Sequence, residues 1–275
     1  MIDSSPLKKL IPNTIKAIAS DLDGTLSLGV GKDNQTVLDL IIAILKLQKA
    51  HFFLVTGRKY ISTKVYYQKI IDDTRIGNDD LKFLHAYIAN GTAAYNVLAD
   101  IGSPYYAFEL NKYAVAELGK FFDKQGWLTD SSLLIDIPSE HRFKIMIKNF
   151  DGSWGNRLEE IGAILIAQVK KYKLPFEVNS SGAAIDITPK SINKNYALTD
   201  IQERFLIKNE EIVKIGDRGS KEGNDFDLLK HPHSFTVSEH DPDNPLQVNV
   251  PELIGVKGVE ASIILLELIL EKLQK

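Results

Sequence analysis

A chain of 275 residues, 44% hydrophobic and 25% charged, is long enough to bury a sizeable core and to divide into two domains. Its formal net charge of -3 provides no overall positive field for holding nucleic acid, and we expect no nucleic-acid partner. The sequence contains no cysteine, which excludes disulfides, thiolate metal sites and cysteine nucleophiles.

The apolar segments are too short to span a membrane. The two longest apolar runs cover 41–45 and 263–270, and the amino-terminal residues MIDSSPLKKLIPN lack the apolar stretch of a secretory signal. We therefore expect a soluble, cytoplasmic protein with no membrane partner. The oligomeric state is left open by the sequence.

Short apolar runs alternate with longer helical segments in the first and last parts of the chain. The pattern predicts helices at about 35–50, at 61–72, through 225–230 and at 259–273, and strands at 16–20, 51–56, 83–90, 211–216 and 233–237. Near-continuous apolar strands that alternate with helices indicate a parallel sheet covered on both faces. We therefore predict an α/β core built on a Rossmann-like, doubly wound parallel sheet.

The middle of the chain has a different pattern. Helices are predicted at 111–125 and 157–172, and each is followed by a pair of strand-like runs, at 132–137 and 143–150 and then at 175–180 and 183–188. A helix followed by a strand pair, repeated once, suggests an α+β domain with an antiparallel sheet. We predict that this domain occupies 94–187 and that it is inserted into a core formed by 1–93 and 188–275.

Polar residues follow four of the predicted core strands, and in open α/β sheets ligands bind beyond the carboxyl ends of the strands. Turns are themselves rich in these residue types, so one such segment alone indicates only a turn. Four in succession favour a site. In chain order they are Asp21-Leu22-Asp23-Gly24-Thr25, Thr56-Gly57-Arg58, Asn90-Gly91, and Gly216-Asp217-Arg218 with Gly223-Asn224-Asp225.

Three carboxylates at one rim repel one another unless a cation lies between them. Oxygen ligands without cysteine favour a hard ion, and Mg²⁺ suits a site that also handles phosphate. A calcium loop is the competing interpretation of DLDGT, but its glycine stands at the fourth position and its twelfth residue is Lys32. The sequence also lacks GxxxxGK[ST], a GxGxxG after the first strand, and GxSxG, which disfavours nucleoside triphosphate, dinucleotide and serine hydrolase sites.

The segments DLDGT, VTGR, IANG and IGDRG…GNDFDLL, in this order, resemble the haloacid dehalogenase (HAD) superfamily of aspartyl-phosphate phosphatases. The insert between IANG and ITPKSINKNYAL looks like the type IIB cap of the sugar-phosphatase branch, which includes sucrose-phosphatase-like, trehalose-phosphatase-like and phosphomannomutase-like enzymes. The resemblance covers essentially the whole chain. It implies a Mg²⁺-dependent phosphatase that hydrolyses a small phosphorylated metabolite, above all a sugar phosphate, through an aspartyl-phosphate intermediate. A phosphohexomutase-like phosphotransferase and a catalytically idle sugar-phosphate-binding regulator stay open as alternatives.

The resemblance also implies catalytic roles and metal ligands. Asp21 matches the nucleophile and Asp23 the general acid and base, and Thr56 and Lys194 match the groups that hold the transferring phosphoryl group, with Lys190 as the other candidate lysine. The implied Mg²⁺ ligands are Asp21, the backbone carbonyl of Asp23, Asp217 and Asp225. The long spacing between Asp217 and Asp225 leaves open whether Asn224 or Asp225 contacts the metal shell.

Substrate contacts are expected from the core and from the cap. In the core we expect Gly57, Arg58 and Asn90 near the phosphate, with Arg58 either reaching the phosphate or pairing on the surface. In the cap we expect Arg142 to bind substrate. Further polar cap residues that could face the site lie around the two predicted hairpins: His141, Lys144, Asn179, Ser180 and Ser181.

Overall fold

The computed structural model describes residues 3–98, 103–136, 143–147, 155–180, 184–221 and 223–275. It divides into two compact units. The core unit comprises Met1–Tyr106 and Lys194–Lys275, and the insert unit comprises Ala107–Asn193. The sequence predicts the insert at 94–187, so both boundaries differ. The first differs because the strand Ala93–Asn96 pairs antiparallel with Leu84–Ile88 and thereby extends the core sheet.

The described residues form strands and helices that we number in chain order. The strands are Ala17–Ser20 (β1), His51–Val55 (β2), Leu84–Ile88 (β3), Ala93–Asn96 (β4), Tyr106–Ala107 (β5), Leu133–Asp136 (β6), Phe143–Ile147 (β7), Phe176–Ser180 (β8), Ala184–Pro189 (β9), Ile212–Arg218 (β10), Ser234–Glu239 (β11) and Gln247–Asn249 (β12). The helices are Ser5–Leu10 (α1), Gln35–Lys46 (α2), Tyr60–Ile71 (α3), Asn78–Leu81 (α4), Lys112–Lys124 (α5), Gly155–Lys171 (α6), Lys194–Phe205 (α7), Phe226–Leu229 (α8), Val250–Ile254 (α9) and Val259–Leu273 (α10).

The larger sheet has the strand order β12-β11-β10-β1-β2-β3-β4-β5. The strands from β12 to β3 are mutually parallel, and β4 runs antiparallel to β3. At the centre, Ala17 of β1 lies opposite Ile212 of β10 on one side and His51 of β2 on the other. The predicted α/β core with a parallel sheet is therefore confirmed.

Both faces of this sheet are buried, as its apolar strands predict. Side chains alternate along each strand, so Ile18 faces one layer of helices while Ala17 and Ala19 face the other. The first layer contains α2, α3 and α10, and the second contains α7 and α8. Because the helices cover the faces, the carboxyl ends of the parallel strands are the edge at which a ligand can reach the sheet.

The insert unit has the α+β architecture that the sequence predicts. Its strands have the order β6-β7-β9-β8 and all pair antiparallel. Side chains of α5 and α6 pack with one face of this sheet around a separate apolar core that includes Leu118, Phe122, Leu158 and Ile185. In the described ranges of the whole chain, no helix is both long enough and apolar enough to span a bilayer.

Candidate active site

Two candidate site residues, Asp21 and Thr56, lie directly after parallel strands. The backbone N–H of each donates a hydrogen bond to the neighbouring strand and so continues the pairing of the sheet. Asp21 follows β1, and its backbone N–H donates to the carbonyl of Ile215 in β10 at 2.8 Å. Thr56 follows β2, and its N–H donates to the carbonyl of Tyr87 in β3 at 2.9 Å. The sheet therefore fixes the backbone of both residues at its carboxyl edge.

Lys194, the first residue of α7, lies between two acidic side chains. Its Nζ donates to Oδ1 of Asp21 and to Oδ1 of Asp225, each at 2.5 Å, and the exposed fractions of the three side chains are 1%, 3% and 0%. Burial lowers the pKa of Lys194, but the charges of the two aspartates outweigh burial and raise that pKa above its usual value. Lys194 is therefore a permanent buried cation. Lys190, the other candidate lysine, is exposed.

Asp21, Asp217 and Asp225 form an acidic cluster in which one carboxylate oxygen of each residue lies within 4.8 Å of the others. Burial, followed by the charge of Asp225, raises the pKa of Asp21 to about 7. Burial and the charges of Asp225 and Asp21 raise the pKa of Asp217 to about 9. One lysine does not balance three clustered carboxylates, two of them buried and one partly buried, so this cluster would gain stability from a further positive charge.

Asp225 holds the other charged groups in place. Its Oδ1 accepts from Lys194, while its Oδ2 accepts from the backbone N–H groups of Asp217 at 3.0 Å and Arg218 at 3.1 Å. These bonds occupy both carboxylate oxygens of Asp225. The adjacent Asn224 has a buried side-chain oxygen with no hydrogen-bond partner among the described residues.

Gly24 allows the loop after β1 to approach Asp217. Its backbone has φ of +79°, and a Cβ atom at this position would lie 2.2 Å from Oδ2 of Asp217. Both observations require glycine. The pattern DLDGT includes this residue, but only the structure shows that the contact it permits is with Asp217, far along the chain.

Thr56, Gly57 and Asn90 lie together just beyond the carboxyl ends of β2 and β3. The backbone N–H of Asn90 donates to the carbonyl of Thr56 at 2.9 Å. A Cβ on Gly57 would lie 3.1 Å from the side-chain oxygen of Asn90, so the two segments are in close contact. Asn90 has φ of +60°, which asparagine tolerates better than most residues. The residues predicted near the phosphate are therefore brought together by the ends of β2 and β3.

Arg58 pairs with Asp23, a partner that the sequence did not suggest, and its predicted contact with the phosphate stays a prediction. Its Nε and Nη2 donate to Oδ2 and Oδ1 of Asp23 at 2.9 and 2.6 Å, which is a bidentate ion pair. The side chain of Arg58 is 5% exposed and that of Asp23 is 49% exposed. Arg58 is thus a buried cation that binds the carboxylate of the half-exposed Asp23, and it is not a surface residue. Sequence reasoning missed this pair because the two residues are 35 positions apart.

Gln247, at the start of β12, is a further residue that sequence reasoning missed. It is buried, its side-chain oxygen accepts from the N–H of Asp241 at 2.8 Å, and its Nε2 donates to the carbonyl of Gly219 at 3.1 Å. Gly219 begins the loop that joins Asp217 to Asp225. No residue pattern marks Gln247, since its contacts depend on how two loops meet.

The cap residues remain predictions. His141, Arg142 and Ser181 lie outside the described residues. Lys144 lies in β7, and Asn179 and Ser180 lie in β8, all in the insert unit. The metal contact predicted for the backbone carbonyl of Asp23 also stays a prediction, and the side-chain carboxylate of Asp23 pairs with Arg58.

Comparisons with solved structures identify proteins of the same fold. The protein SMU.1108c of Streptococcus mutans superposes with a TM-score of 0.68 at 15% identity, covering 94% of this chain and all of that one. The sucrose-phosphatase of Synechocystis gives 0.60 at 16% identity, covering 94% and 98%. The IMP-nucleotidase of Plasmodium falciparum gives 0.60 at 16% identity, covering 96% and 71%.

Sequence comparison supports a family assignment. No curated protein matches the chain at a significant level. The family model described as haloacid dehalogenase-like hydrolase matches residues 18–240, which is most of the chain and includes Asp21, Lys194, Asp217 and Asp225. The match and the shared fold lead to one conclusion: this chain belongs to the haloacid dehalogenase-like hydrolase family.

Proposed function

We propose that the protein is a Mg²⁺-dependent phosphatase that hydrolyses a small phosphorylated metabolite, with sugar phosphates as the first class of candidates, through a phosphorylated Asp21. The observation that carries the proposal is the buried carboxylate of Asp21, held by Lys194 within the cluster formed with Asp217 and Asp225. The chain's membership of a hydrolase family supports a hydrolytic reaction.

Asp21 is the nucleophile in this proposal. A carboxylate can attack phosphorus and form an acyl phosphate that water then cleaves, which divides one difficult step into two easier ones. A phosphate monoester is a dianion, so its approach to Asp21 requires positive charge. Lys194 supplies that charge at 2.5 Å from the attacking group, and it needs no reorganisation because both of its partners are buried.

Asp23 is the general acid and base. The carboxylate of Asp21 pairs with Lys194 and that of Asp23 pairs with Arg58, so the two groups are held separately and can act on different atoms of one substrate. Asp21 is buried, whereas the side chain of Asp23 is 49% exposed and accessible to a leaving group. Thr56 and Gly57, next to Asn90, would hold the phosphoryl oxygens.

The acidic cluster fits a hard divalent cation. The three carboxylates are close together and are insufficiently neutralised by Lys194, as the raised pKa values of Asp21 and Asp217 indicate. All the donors are oxygen atoms, which Mg²⁺ prefers. Asp21 and Asp217 would hold the ion, Asp225 would fix their positions, and Asn224 has a buried oxygen to offer. Bound there, Mg²⁺ would neutralise the phosphoryl oxygens.

The substrate class is inferred from the fold relatives and from the insert. Three proteins of the same fold are a sucrose-phosphatase, a subclass IIB sugar phosphatase and an IMP-nucleotidase, names that denote enzymes acting on small phosphate esters. Two of these three are sugar phosphatases, and the insert unit has the α+β architecture that the sequence suggested for such enzymes. A sugar phosphate is therefore the first class to test, and nucleoside monophosphates are the second.

The test is a phosphate-release screen over sugar phosphates, nucleoside monophosphates and 4-nitrophenyl phosphate, with Mg²⁺ and with a chelator. We expect Mg²⁺-dependent release from at least one sugar phosphate, and loss of release in Asp21→Asn. The matched control is Asp39→Asn, which changes an aspartate on the outer surface of α2. Mg²⁺-dependent release by Asp21→Asn at an appreciable rate would reject Asp21 as the nucleophile. A requirement for a bisphosphorylated activator, without free phosphate, would identify a phosphotransferase instead.

A further inference from the structure

Arg58 is a buried cation whose guanidinium faces a single carboxylate. Its Nε and Nη2 both donate to Asp23, whereas its Nη1 is 3.4 Å from the carbonyl of Ser62 in α3. The arginine side chain is 5% exposed, and the carboxylate in front of it is half exposed. An incoming ligand therefore meets Asp23 before it meets Arg58.

The backbone of Arg58 is fixed on both sides. Its N–H donates to Oγ1 of Thr56 at 3.1 Å, and its carbonyl accepts from the N–H of Ala89 at 2.8 Å. The arginine cannot follow a moving partner without breaking these bonds. The bidentate geometry then restricts the plane of the Asp23 carboxylate, because two parallel N–H donors define an orientation that one donor does not.

We propose that Arg58 is a positioning residue that aims Asp23 at the leaving-group oxygen of the substrate. This inference rests on the proposed function. In the first step an oxygen of Asp21 bonds to phosphorus, the bond from phosphorus to the leaving oxygen breaks, and the proton of the Asp23 carboxyl moves to that oxygen. A carboxyl group has about four lone-pair sites, so Asp23 can accept twice from Arg58 and still carry the transferred proton.

Direct binding of phosphate by Arg58 is the competing role, and the geometry disfavours it. The two nitrogens with the shortest contacts are both used by Asp23, and the side chain has almost no exposed surface. Lys194 already places a cation against Asp21, where the phosphoryl group would be attacked. The two roles predict different responses to the chemistry of the leaving group.

The experiment compares Arg58→Met and Arg58→Lys with the wild type on two substrates. One is 4-nitrophenyl phosphate, whose leaving group departs as a stable anion. The other is the best sugar phosphate from the screen, whose alkoxide must be protonated. We expect kcat/KM of Arg58→Met to fall about 100-fold on the sugar phosphate and less than about threefold on the aryl phosphate, because only the former needs the acid. On the sugar phosphate, kcat/KM of Arg58→Lys should lie between that of the wild type and that of Arg58→Met.

Further measurements separate positioning from other roles. Inorganic phosphate, measured as a shift in thermal unfolding temperature, should bind the wild type and Arg58→Met equally. Adding Arg58→Met to Asp23→Asn should cost nothing further, because the two residues act as one unit. Arg75→Met is the control, since Arg75 also pairs with aspartates, Asp39 and Asp73, but on the surface. It should leave both kcat/KM values unchanged.

Equal losses on both substrates, weaker phosphate binding, or additive losses in the double variant would overturn the positioning role. An unchanged kcat/KM on the sugar phosphate would also overturn it. The proposed phosphatase function is tested separately, by whether the wild type releases phosphate at all. The two failures are thus distinguishable, because the inference concerns only the ratio between substrates and the phosphate affinity of the variants.

Discussion

Two buried lysines of the core unit, Lys194 and Lys214, have different hydrogen-bond partners and opposite pKa shifts. Lys194 begins α7 and donates to the carboxylates of Asp21 and Asp225. Lys214 lies within β10 and donates to two backbone carbonyls, those of Asn209 at 2.6 Å and Pro232 at 2.7 Å. Both lysines are at most 1% exposed, yet the pKa of Lys194 is raised, whereas burial lowers the pKa of Lys214 to about 7.

The difference teaches that the partners, and not burial, decide whether a buried amine keeps its charge. Two carboxylates compensate for the water that Lys194 loses, and neutral carbonyls do so only in part for Lys214. Lys194 therefore keeps its charge among the aspartates of the site, whereas the amine of Lys214 inside β10 tends towards neutrality. The following experiments test that contrast, beginning with the largest expected effect.

The largest difference is expected between Lys194→Met and Lys214→Met, in both kcat/KM and stability. Lys194→Met should lower kcat/KM about 1,000-fold, because the positive charge that meets the phosphoryl group is removed. It should also destabilise the fold by about 3 kcal/mol, since it leaves buried carboxylates unpaired. Lys214→Met should keep kcat/KM within about twofold of the wild type, because the carbonyls that accept from Lys214, those of Asn209 and Pro232, do not belong to the site.

Both variants can be assayed for phosphate release and for unfolding in urea. Equal kinetic losses in Lys194→Met and Lys214→Met would contradict the contrast. Added Mg²⁺ should restore more stability to Lys194→Met than to the wild type, since a cation can occupy part of the acidic cluster.

Gly24→Ala tests the close contact between the loop after β1 and the side chain of Asp217. The added methyl group would meet Oδ2 of Asp217 at 2.2 Å, so one of the two residues must move. We expect Mg²⁺ affinity to fall about 100-fold, the upper end of the range for altered supports of metal ligands. Binding can be measured by isothermal titration calorimetry without substrate.

Gly31→Ala is the matched control for this change. Gly31 has φ of +75°, close to the +79° of Gly24, but a Cβ there meets no atom within 4 Å. Both variants therefore place alanine at a similar positive φ, and only Gly24→Ala adds a collision with Asp217. If both variants bound Mg²⁺ equally well, contact with Asp217 would not be the reason for the glycine.

The lowered pKa of Lys214 predicts a pH dependence of stability. Between about pH 7 and pH 10 the unfolded chain binds this proton and the folded protein does not, so the free energy of unfolding rises with pH. Below about pH 7 both states are protonated and the cost of burying the charge is fully present. From pH 7 to pH 9 the wild type should gain about 2 kcal/mol relative to Lys214→Met.

Urea unfolding of both proteins at several pH values measures this difference. Parallel curves for the wild type and Lys214→Met over this window would show that Lys214 keeps its proton in the folded protein, as Lys194 does. That result would remove the contrast between the two lysines.

Gln247→Glu should have the smallest effect. The glutamate carboxylate can still accept a hydrogen bond from the N–H of Asp241. It cannot donate to the carbonyl of Gly219, so the hydrogen bond made by the amide of Gln247 is lost. The loop to Asp225 would then be held by one hydrogen bond fewer, and we expect Mg²⁺ affinity to fall about tenfold, the lower end of the range for altered supports of metal ligands. Gln274→Glu, at an exposed position, controls for the added charge. Equal Mg²⁺ affinities in the two variants would rule out a supporting role for Gln247.

Much of the fold could be predicted because its signals are local. The apolar runs and helical periodicity place β2, β10 and α10 within about two residues of their observed bounds. The short strands β4, β5 and β12 were missed, since two to four residues carry no periodicity. The insert boundary moved from 94 to 107 for the same reason, because β4 is recognisable only by its pairing with β3.

The candidate site could be predicted only as a set of residues after strands. Parallel strands bring their carboxyl ends together, so the positions of Asp21 and Thr56 at one edge follow from topology. The partners do not follow, since Arg58 pairs with a residue 35 positions away and Lys194 with one 173 positions away. Which of several arginines or lysines is buried depends on packing that no local pattern encodes.

The insert unit ends at Asn193, and the next residue is the buried lysine of the site. Every charged group of the acidic cluster and its lysine therefore belongs to the core unit, in two stretches of chain that flank the insert. Such an arrangement is modular: the insert can be lengthened, shortened or exchanged by recombination while the chemistry is inherited unchanged. The boundary at Lys194 limits that freedom, because a shift of one residue in the junction would rotate the start of α7 and turn its lysine away from Asp21.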